Sequence, residues 1–247
     1  MPNEEYIRKI PGSRVAILMV HGIMGTPDYF QYLISQVPAD CSVYNLRLVG
    51  HCGSVDDFGR SSMAAWKEQV FSQLEAMFKE HEKIIFAGYS LGALFAVESA
   101  IRYPGKISHL FCHGLPIKCR MPPAAKMRMW RIIFDKVKPG TPTARMASAC
   151  AMQHTKKIWK YLPAYVRMCE LGVEMLRVKK LLPQLTVPCH NYQGANDEIL
   201  SRGNNKFLAQ FPAITHTVLP HSGHFQFDPI DEARIQADFR SVIELYR

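Results

Sequence analysis

One short stretch of the sequence has the residue types and spacing that present a catalytic nucleophile. Residues 88–92 read Gly-Tyr-Ser-Leu-Gly, with a serine between two glycines. A sharp turn from a strand into a helix needs small residues at those glycine positions, and it presents the serine hydroxyl outside the turn. Apolar runs at 83–88 and 91–102 fit that strand and that helix. Ser90 is therefore the candidate nucleophile, and the alternative is a serine that only caps the helix.

The elements that must position this serine follow from the hydrophobic pattern. Apolar runs of strand length lie at residues 15–20, 42–46, 83–88, 107–113, 187–193 and 215–219. Stretches with helical spacing of apolar residues lie at 29–37, 62–81, 91–102, 204–211 and 230–246. Alternating strands and helices predict an α/β fold, a mostly parallel sheet flanked by helices.

Length and composition limit the class of protein. A chain of 247 residues fits one domain, or one domain with an insertion, and 48% hydrophobic residues exclude a disordered or collagen-like chain. The apolar runs are too short to span a bilayer, and the acidic start, Met-Pro-Asn-Glu-Glu, is unlike a secretory signal. The seven cysteines are scattered without zinc-site spacing. We therefore expect a cytoplasmic protein with reduced thiols and no metal.

The positive charge is concentrated in one segment. The whole chain has a net charge of +9, but residues 116–180 contain 15 Lys and Arg against three acidic residues, together with seven of the 12 methionines. Such a composition shift predicts an insertion. Its excess charge favours an anionic substrate or weak association with an anionic membrane surface. Nucleic acid is disfavoured because no recognition module accompanies the charge.

Several motifs together resemble the α/β-hydrolase superfamily and, within it, bacterial carboxylesterases and monoacylglycerol lipases. They are His21-Gly22-Ile23-Met24-Gly25-Thr26-Pro27, Gly50-His51-Cys52-Gly53-Ser54, the serine motif at 88–92, Gly194-Ala195-Asn196-Asp197 and Ser222-Gly223-His224. The resemblance implies an α/β-hydrolase core formed by residues 1–114 and 181–247, with a helical cap, or lid, inserted at residues 115–180.

The resemblance also implies the oxyanion hole, the pair of backbone N–H groups that stabilise the negative oxygen of a tetrahedral intermediate. By position these donors are Ile23, in the loop after the first buried strand, and Leu91, directly after the serine. We expect His21 and His51 to brace loops rather than to act as the base.

In this superfamily the nucleophile is followed along the chain by an acid and then by a histidine. His224 follows the strand expected at 215–219, and Asp197 follows the strand at 187–193, so 27 residues separate them and leave room for one helix and one strand. His224 is preferred as base and Asp197 as acid on these positions. The alternatives are His221, which lies close to the strand end, for the base, and Glu198 or Asp228 for the acid.

Prolines are expected to divide the cap into short helical pieces; they are Pro116, Pro122, Pro123, Pro139, Pro142 and Pro163. Two sets of apolar residues have the spacing of a helix face: Trp130, Ile133, Phe134 and Val137, and then Ile158, Trp159, Leu162 and Val166. We expect these faces to cover the sheet edge. The alternative is that they line a pocket for an acyl chain.

The sequence thus predicts a serine esterase for small to medium acyl chains that works through Ser90, His224, Asp197 and an acyl-enzyme, without metal or cofactor. An acyltransferase or thioesterase with the same triad is the first alternative. A non-catalytic binding module on a hydrolase scaffold is the second, and it is disfavoured because all three triad positions are occupied by suitable residues.

Overall fold

A seven-stranded sheet forms the centre of the molecule. The computed structural model describes residues 3–120, 131–134 and 136–247. The strands are β1 (Tyr6–Arg8), β2 (Val15–Val20), β3 (Ser42–Leu46), β4 (Lys83–Tyr89), β5 (His109–His113), β6 (Cys189–Gly194) and β7 (Ile214–Leu219). Their order is β1-β3-β2-β4-β5-β6-β7, and every neighbouring pair is parallel except the edge pair β1 and β3. The predicted mostly parallel α/β sheet is confirmed.

Helices cover both faces of this sheet. They are α1 (Gln31–Ile34), α2 (Val55–Arg60), α3 (Met63–Glu80), α4 (Leu91–Arg102), α5 (Pro142–Ala149), α6 (Tyr161–Leu181), α7 (Arg202–Leu208) and α8 (Pro229–Tyr246). In β2, Ala16, Leu18 and Val20 face the core shared with α3, α4 and α6, whereas the alternate residues face the core shared with α1 and α8. This alternation is the two-residue period of a strand that is buried on both faces. Among the described residues, no helix is long and apolar enough to cross a membrane.

The structure differs from the sequence expectations mainly at the edge strand and in the basic segment. Strand β1 was not expected, because it has only three residues and lies exposed at the edge. Helix α6 is 21 residues long rather than a short piece. Pro163 lies in its first turn, where a missing N–H breaks no helical hydrogen bond. Trp130, Pro122 and Pro123 lie outside the described residues.

The basic segment packs on the core through one side of α6. Ala164, Leu171 and Val178 are buried there among core side chains. The ammonium group of Lys67 on α3 lies 2.9 Å from a carboxylate oxygen of Glu174 on α6. The expectation that Ile158, Trp159, Leu162 and Val166 cover the sheet edge is wrong, because 43–70% of each residue is exposed to solvent.

Candidate active site

Ser90 lies at the sharp turn between β4 and α4. Its backbone has φ +50° and ψ −108°, a conformation that few residues other than glycine adopt. Such a conformation costs about 1–3 kcal/mol and persists only where the surroundings hold it. Here the Ser90 N–H donates to the carbonyl of His113 on β5 at 2.9 Å, and the Ser90 carbonyl accepts from the N–H of Ala93 at 3.0 Å. Strand β5 and the first turn of α4 therefore fix the serine.

The two glycines of the motif are required by close backbone contacts. A Cβ atom on Gly88 would lie 2.5 Å from the carbonyl oxygen of Gly92, and one on Gly92 would lie 1.9 Å from the carbonyl oxygen of Val20. Helix α4 therefore approaches β4 and the end of β2 so closely that only glycine fits. This packing explains the motif spacing in physical terms.

His224 and Asp197 form a buried hydrogen-bonded pair. The Nδ1 atom of His224 lies 2.9 Å from Oδ2 of Asp197. The other carboxylate oxygen, Oδ1, accepts the N–H groups of Ile199 at 2.8 Å and Leu200 at 2.6 Å. The two side chains are only 4% and 3% exposed. A carboxylate held in this way can orient the imidazole ring and leave its Nε2 atom for a nucleophile.

The alternative acids bind other groups through their carboxylates, and the alternative base, His221, is held through its backbone. Glu198 accepts the backbone N–H of His224 at 2.8 Å. Asp228 is the N-cap of α8, where its carboxylate accepts from Ile230 at 3.0 Å. The backbone N–H of His221 donates to a carboxylate oxygen of Asp231 at 2.9 Å. Of the sequence candidates, the structure brings Asp197 to the ring of His224.

Contacts through neighbouring residues bring His224 and Ser90 to the same place. The residue before the serine, Tyr89, donates its hydroxyl to the carbonyl of His224 at 3.1 Å. The carbonyl of His113 accepts from Ser90, and a Cβ atom on the next residue, Gly114, would lie 3.0 Å from Cε1 of His224. The elbow and the histidine loop therefore meet above the carboxyl end of β5.

The loop after β2 packs directly against the serine. A Cβ atom on Gly22 would lie 3.2 Å from Cβ of Ser90. The loop turns back on itself through a hydrogen bond from the Gly25 N–H to the Gly22 carbonyl at 3.0 Å. Leu91 is the first residue of α4, so its N–H has no acceptor within that helix. The structure thus places the loop that carries Ile23 against Ser90, and Leu91 follows Ser90 directly in the chain.

The basic segment donates hydrogen bonds to this loop and to the neighbouring loop that contains Gly53. The N–H of Ala151 donates to the carbonyl of Met24 at 3.2 Å, and the N–H of Gln153 donates to the carbonyl of Gly53 at 2.9 Å. Met24 has a positive φ of +54°, which a side chain adopts only under constraint. The segment therefore helps to hold the backbone that carries Ile23.

His21 and His51 lie buried beside the loop. His21 accepts the N–H of Leu48 at its Nε2 atom at 3.2 Å, and its Nδ1 atom lies 2.8 Å from the carbonyl of Gly22. Burial lowers the pKa of His21 to about 4 and holds the pKa of His51 well below its usual range. Both rings are therefore neutral near pH 7, and the His21 ring joins the loop after β2 to the loop after β3.

An aromatic cluster lies beneath the His224 loop. Tyr29 stacks on Tyr89 with ring centres 3.7 Å apart, and burial lowers the pKa of His113 to about 3.

The remaining cavity between this cluster and His224 is about 10 Å³, about the smallest space that can hold a water molecule. A larger cavity of about 760 Å³ borders Asp197, but neither Ser90 nor His224 lines it. Among the described residues, no cluster of side chains could hold a metal ion.

Comparison with known proteins gives the family. A family model described as an alpha/beta hydrolase family matches residues 17–236. The chain belongs to the alpha/beta hydrolase family. No protein with curated annotation matches this hydrolase in sequence.

Solved structures share the fold of this hydrolase. A metagenome-derived lipolytic enzyme of the LipS and LipT pair is 16% identical with a TM-score of 0.71, and 98% of each chain is covered. A monoacylglycerol lipase from Paleococcus ferrophilus is 17% identical with a TM-score of 0.68 and 99% of each chain covered. The thioesterase domain from the curacin biosynthetic pathway is 16% identical with a TM-score of 0.61, covering 98% of this chain and 99% of that one. At these identities the likeness concerns the fold.

Three contacts of the site were not predicted from the sequence. They are the carboxylate of Glu198 on the His224 N–H, the Tyr89 hydroxyl on the His224 carbonyl, and the N–H of Ala151 on the Met24 carbonyl. The position of Glu198 next to Asp197 made it a rival acid. No sequence signal indicated the other two, because each joins residues that are more than 100 positions apart.

Proposed function

We propose that this alpha/beta hydrolase is a serine esterase that cleaves carboxylic esters of small to medium acyl chains through an acyl-enzyme. The observation that carries the proposal is the buried pair of His224 and Asp197, with a ring-to-carboxylate distance of 2.9 Å, beside a serine in a strained elbow. A serine hydroxyl at its ordinary pKa is a weak nucleophile, so ester cleavage needs such an oriented base.

In the first half-reaction the Oγ atom of Ser90 attacks the ester carbonyl while Nε2 of His224 takes its proton. Asp197 keeps the proton of His224 on Nδ1 and stabilises the imidazolium that forms. The N–H groups of Ile23 and Leu91 donate to the oxygen that becomes negative. Collapse of the tetrahedral intermediate breaks the bond to the leaving alcohol, which receives the proton from His224.

In the second half-reaction water takes the place of the alcohol. His224 removes a proton from the water, which attacks the acyl carbonyl, and the proton returns to Oγ of Ser90 as the acid leaves. A thiol ester enters the same cycle with a thiol as the leaving group. The fold shared with a thioesterase domain makes thioester hydrolysis the second candidate. A cytoplasmic location stays a prediction.

A panel of p-nitrophenyl esters with acyl chains from acetyl to palmitoyl, together with acyl thioesters, tests the proposal on the purified protein. We expect saturable hydrolysis with the highest kcat/KM on short to medium esters, and loss of that activity in Ser90→Ala. The matched control is Ser99→Ala, because Ser99 is a buried serine on α4 away from the elbow. Ester turnover that survives in a folded Ser90→Ala protein contradicts the proposed nucleophile, and a preference for thioesters favours the second candidate.

A further inference from the structure

The outer face of α6 is a continuous apolar surface open to solvent. Trp159 is 70%, Leu162 69% and Val173 67% exposed. Monomeric proteins seldom expose contiguous apolar patches beyond a few hundred Å², and larger patches mark interaction sites. We define the outer face by its exposed large apolar residues, which are Ile158 and Trp159 in the 3₁₀ turn directly before α6 and Leu162, Tyr165, Val166, Val173 and Leu176 on the helix itself.

The spacing along the helix places these side chains on one side. From Leu162 the face continues through Val166, Cys169, Val173 and Leu176, in alternating steps of four and three residues. Residues at such steps form one stripe along an α-helix. At about 1.5 Å per residue, the stripe from residue 162 to residue 176 is about 21 Å long. The opposite side already packs on the core, so the outer face has a different partner.

Basic residues stand at both ends of the stripe. Lys156 and Lys157 are exposed just before it, and Lys180 is exposed just after it. The acidic residues of the helix are already paired within the chain: Glu170 with Arg167 at 3.0 Å, and Glu174 with Arg177 at 2.7 Å. The outer face therefore presents apolar side chains between positive ends.

This charge arrangement selects the occupant. If two copies met through this face, lysines would meet lysines in a parallel or in an antiparallel pairing, and like charges in contact oppose association. An anionic bilayer surface complements the lysines and accepts the apolar side chains at the same time. Trp159 and Tyr165 carry amphipathic rings, which favour the boundary between headgroups and acyl chains.

We propose that the outer face of α6 is a docking surface for anionic phospholipid bilayers, with the helix axis lying along the membrane plane. The apolar side chains enter the headgroup boundary, and Lys156, Lys157 and Lys180 lie at the level of the lipid phosphates. Docking requires no catalysis, so it can be measured in Ser90→Ala as well as in the wild-type protein, and its failure would leave the proposed esterase activity untouched.

Co-sedimentation with vesicles tests this docking. Vesicles contain either phosphatidylcholine alone or phosphatidylcholine with one-third phosphatidylglycerol, at low and at high salt. We expect the full chain to bind the anionic vesicles at low salt at least ten times more strongly than the neutral ones, and to lose most of that preference at high salt. Equal sedimentation with both vesicle types, or none with either, overturns the proposal.

Tryptophan fluorescence reports the orientation. The chain has three tryptophans, so the measurement uses Trp130→Phe as its background, which leaves the fully buried Trp66 and the largely exposed Trp159. Insertion of the outer face then shifts the emission of Trp159 to shorter wavelength. The shift should occur with anionic vesicles and disappear in Trp159→Phe, whereas the sedimentation of that variant persists. A shift of the same size in Trp159→Phe contradicts docking through this face.

Paired variants separate the outer face from the general surface. Leu162→Ser with Val173→Ser should weaken anionic vesicle binding at least tenfold, while Ile230→Ser, at an equally exposed residue on α8 (71%), should not. Lys156→Glu with Lys157→Glu should act similarly, with exposed Lys106→Glu as its control. Unchanged melting temperatures verify folding. Unaltered binding in both outer-face variants overturns the proposal, as does sedimentation velocity that shows a dimer dissolved by these variants.

Discussion

The candidate active site and the basic segment expose their most important side chains to solvent to very different extents. In the candidate active site, the side chains of Ser90, His224 and Asp197 are almost fully covered, and hydrogen bonds hold each residue in place. In the basic segment, α6 buries one side and leaves Leu162 in solvent, as the turn before it leaves Trp159. Chemistry needs groups fixed to within a fraction of an ångström, whereas a docking surface needs access. The comparison shows that the polar residues proposed for chemistry are buried and fixed, whereas the apolar residues proposed for docking stay accessible.

The largest effect is expected from the serine and the histidine. Ser90→Ala and His224→Ala should each lower kcat for ester hydrolysis about 10⁴-fold or more, and the double variant should lose little further, because the two residues act as a unit. Steady-state kinetics on a p-nitrophenyl ester measures this. Additive losses in the double variant would show that Ser90 and His224 act independently, which contradicts their proposed joint role.

A smaller effect distinguishes the two neighbouring acids. Asp197→Asn should lower kcat about 10³–10⁴-fold, because the ring loses the partner that fixes its tautomer. Glu198→Gln should lower it less than about tenfold, since a glutamine oxygen still accepts the N–H of His224. Kinetics of the two variants, with circular dichroism to verify folding, measures the contrast. A larger loss in Glu198→Gln would reverse the assignment of the acid.

Sequence and structure agree best where one local pattern has one structural solution. The strands β2 and β3 and the helix α4 begin and end as the apolar pattern predicts, because a short run buried on both faces fits a parallel strand. The elbow could be predicted because its turn leaves no room for a side chain at Gly88 or Gly92, so the two glycines mark its position in the sequence. The orientation of α6 was not, because Leu162 and Val166 have the same spacing whether they face the core or solvent. The hydrogen bond from Ala151 to Met24 depends on tertiary contacts alone.

The two regions meet at Ala151, which gives a third prediction. Ala151→Pro removes the N–H that holds the Met24 carbonyl. The preceding Cys150 is extended (φ −101°, ψ 104°), which suits a residue before proline. We expect kcat to fall about tenfold with little change in KM, because the loss concerns an oxyanion donor that acts in the transition state.

The control for this variant is Ala151→Ser, which keeps the N–H and should retain kcat. Both variants are measured on one short ester, so that selectivity for chain length does not enter. An unchanged kcat in Ala151→Pro would show that the basic segment contributes nothing to the oxyanion loop.

The smallest effect concerns pH. Burial lowers the pKa of His21 to about 4 and that of His113 to about 3, below the value near 6.5 of an unfolded chain. The unfolded chain therefore binds protons that the folded chain excludes. These two histidines cost no unfolding free energy well above pH 6.5, and the unfolding free energy falls as the pH drops from 6.5 towards 4. Each histidine contributes about 1.4 kcal/mol per pH unit in that range.

Urea unfolding of the wild-type protein and His113→Gln at a series of pH values measures this slope. The glutamine amide keeps a hydrogen-bonding partner for the Tyr32 hydroxyl, which lies 2.9 Å from Nδ1 of His113. We expect a shallower fall of the unfolding free energy in the variant. Parallel curves would show that His113 does not cause the acid sensitivity of the candidate active site.

Covalent labelling of the native protein with a fluorophosphonate tests most directly whether Ser90 is the activated nucleophile. Mass spectrometry locates the labelled residue. The probe phosphonylates a serine only where a neighbouring base and an oxyanion hole activate it. We expect one adduct, on Ser90, formed in step with the loss of ester hydrolysis and strongly slowed in His224→Ala. An adduct on another serine, or hydrolysis that continues when Ser90 is fully labelled, would contradict this role of Ser90.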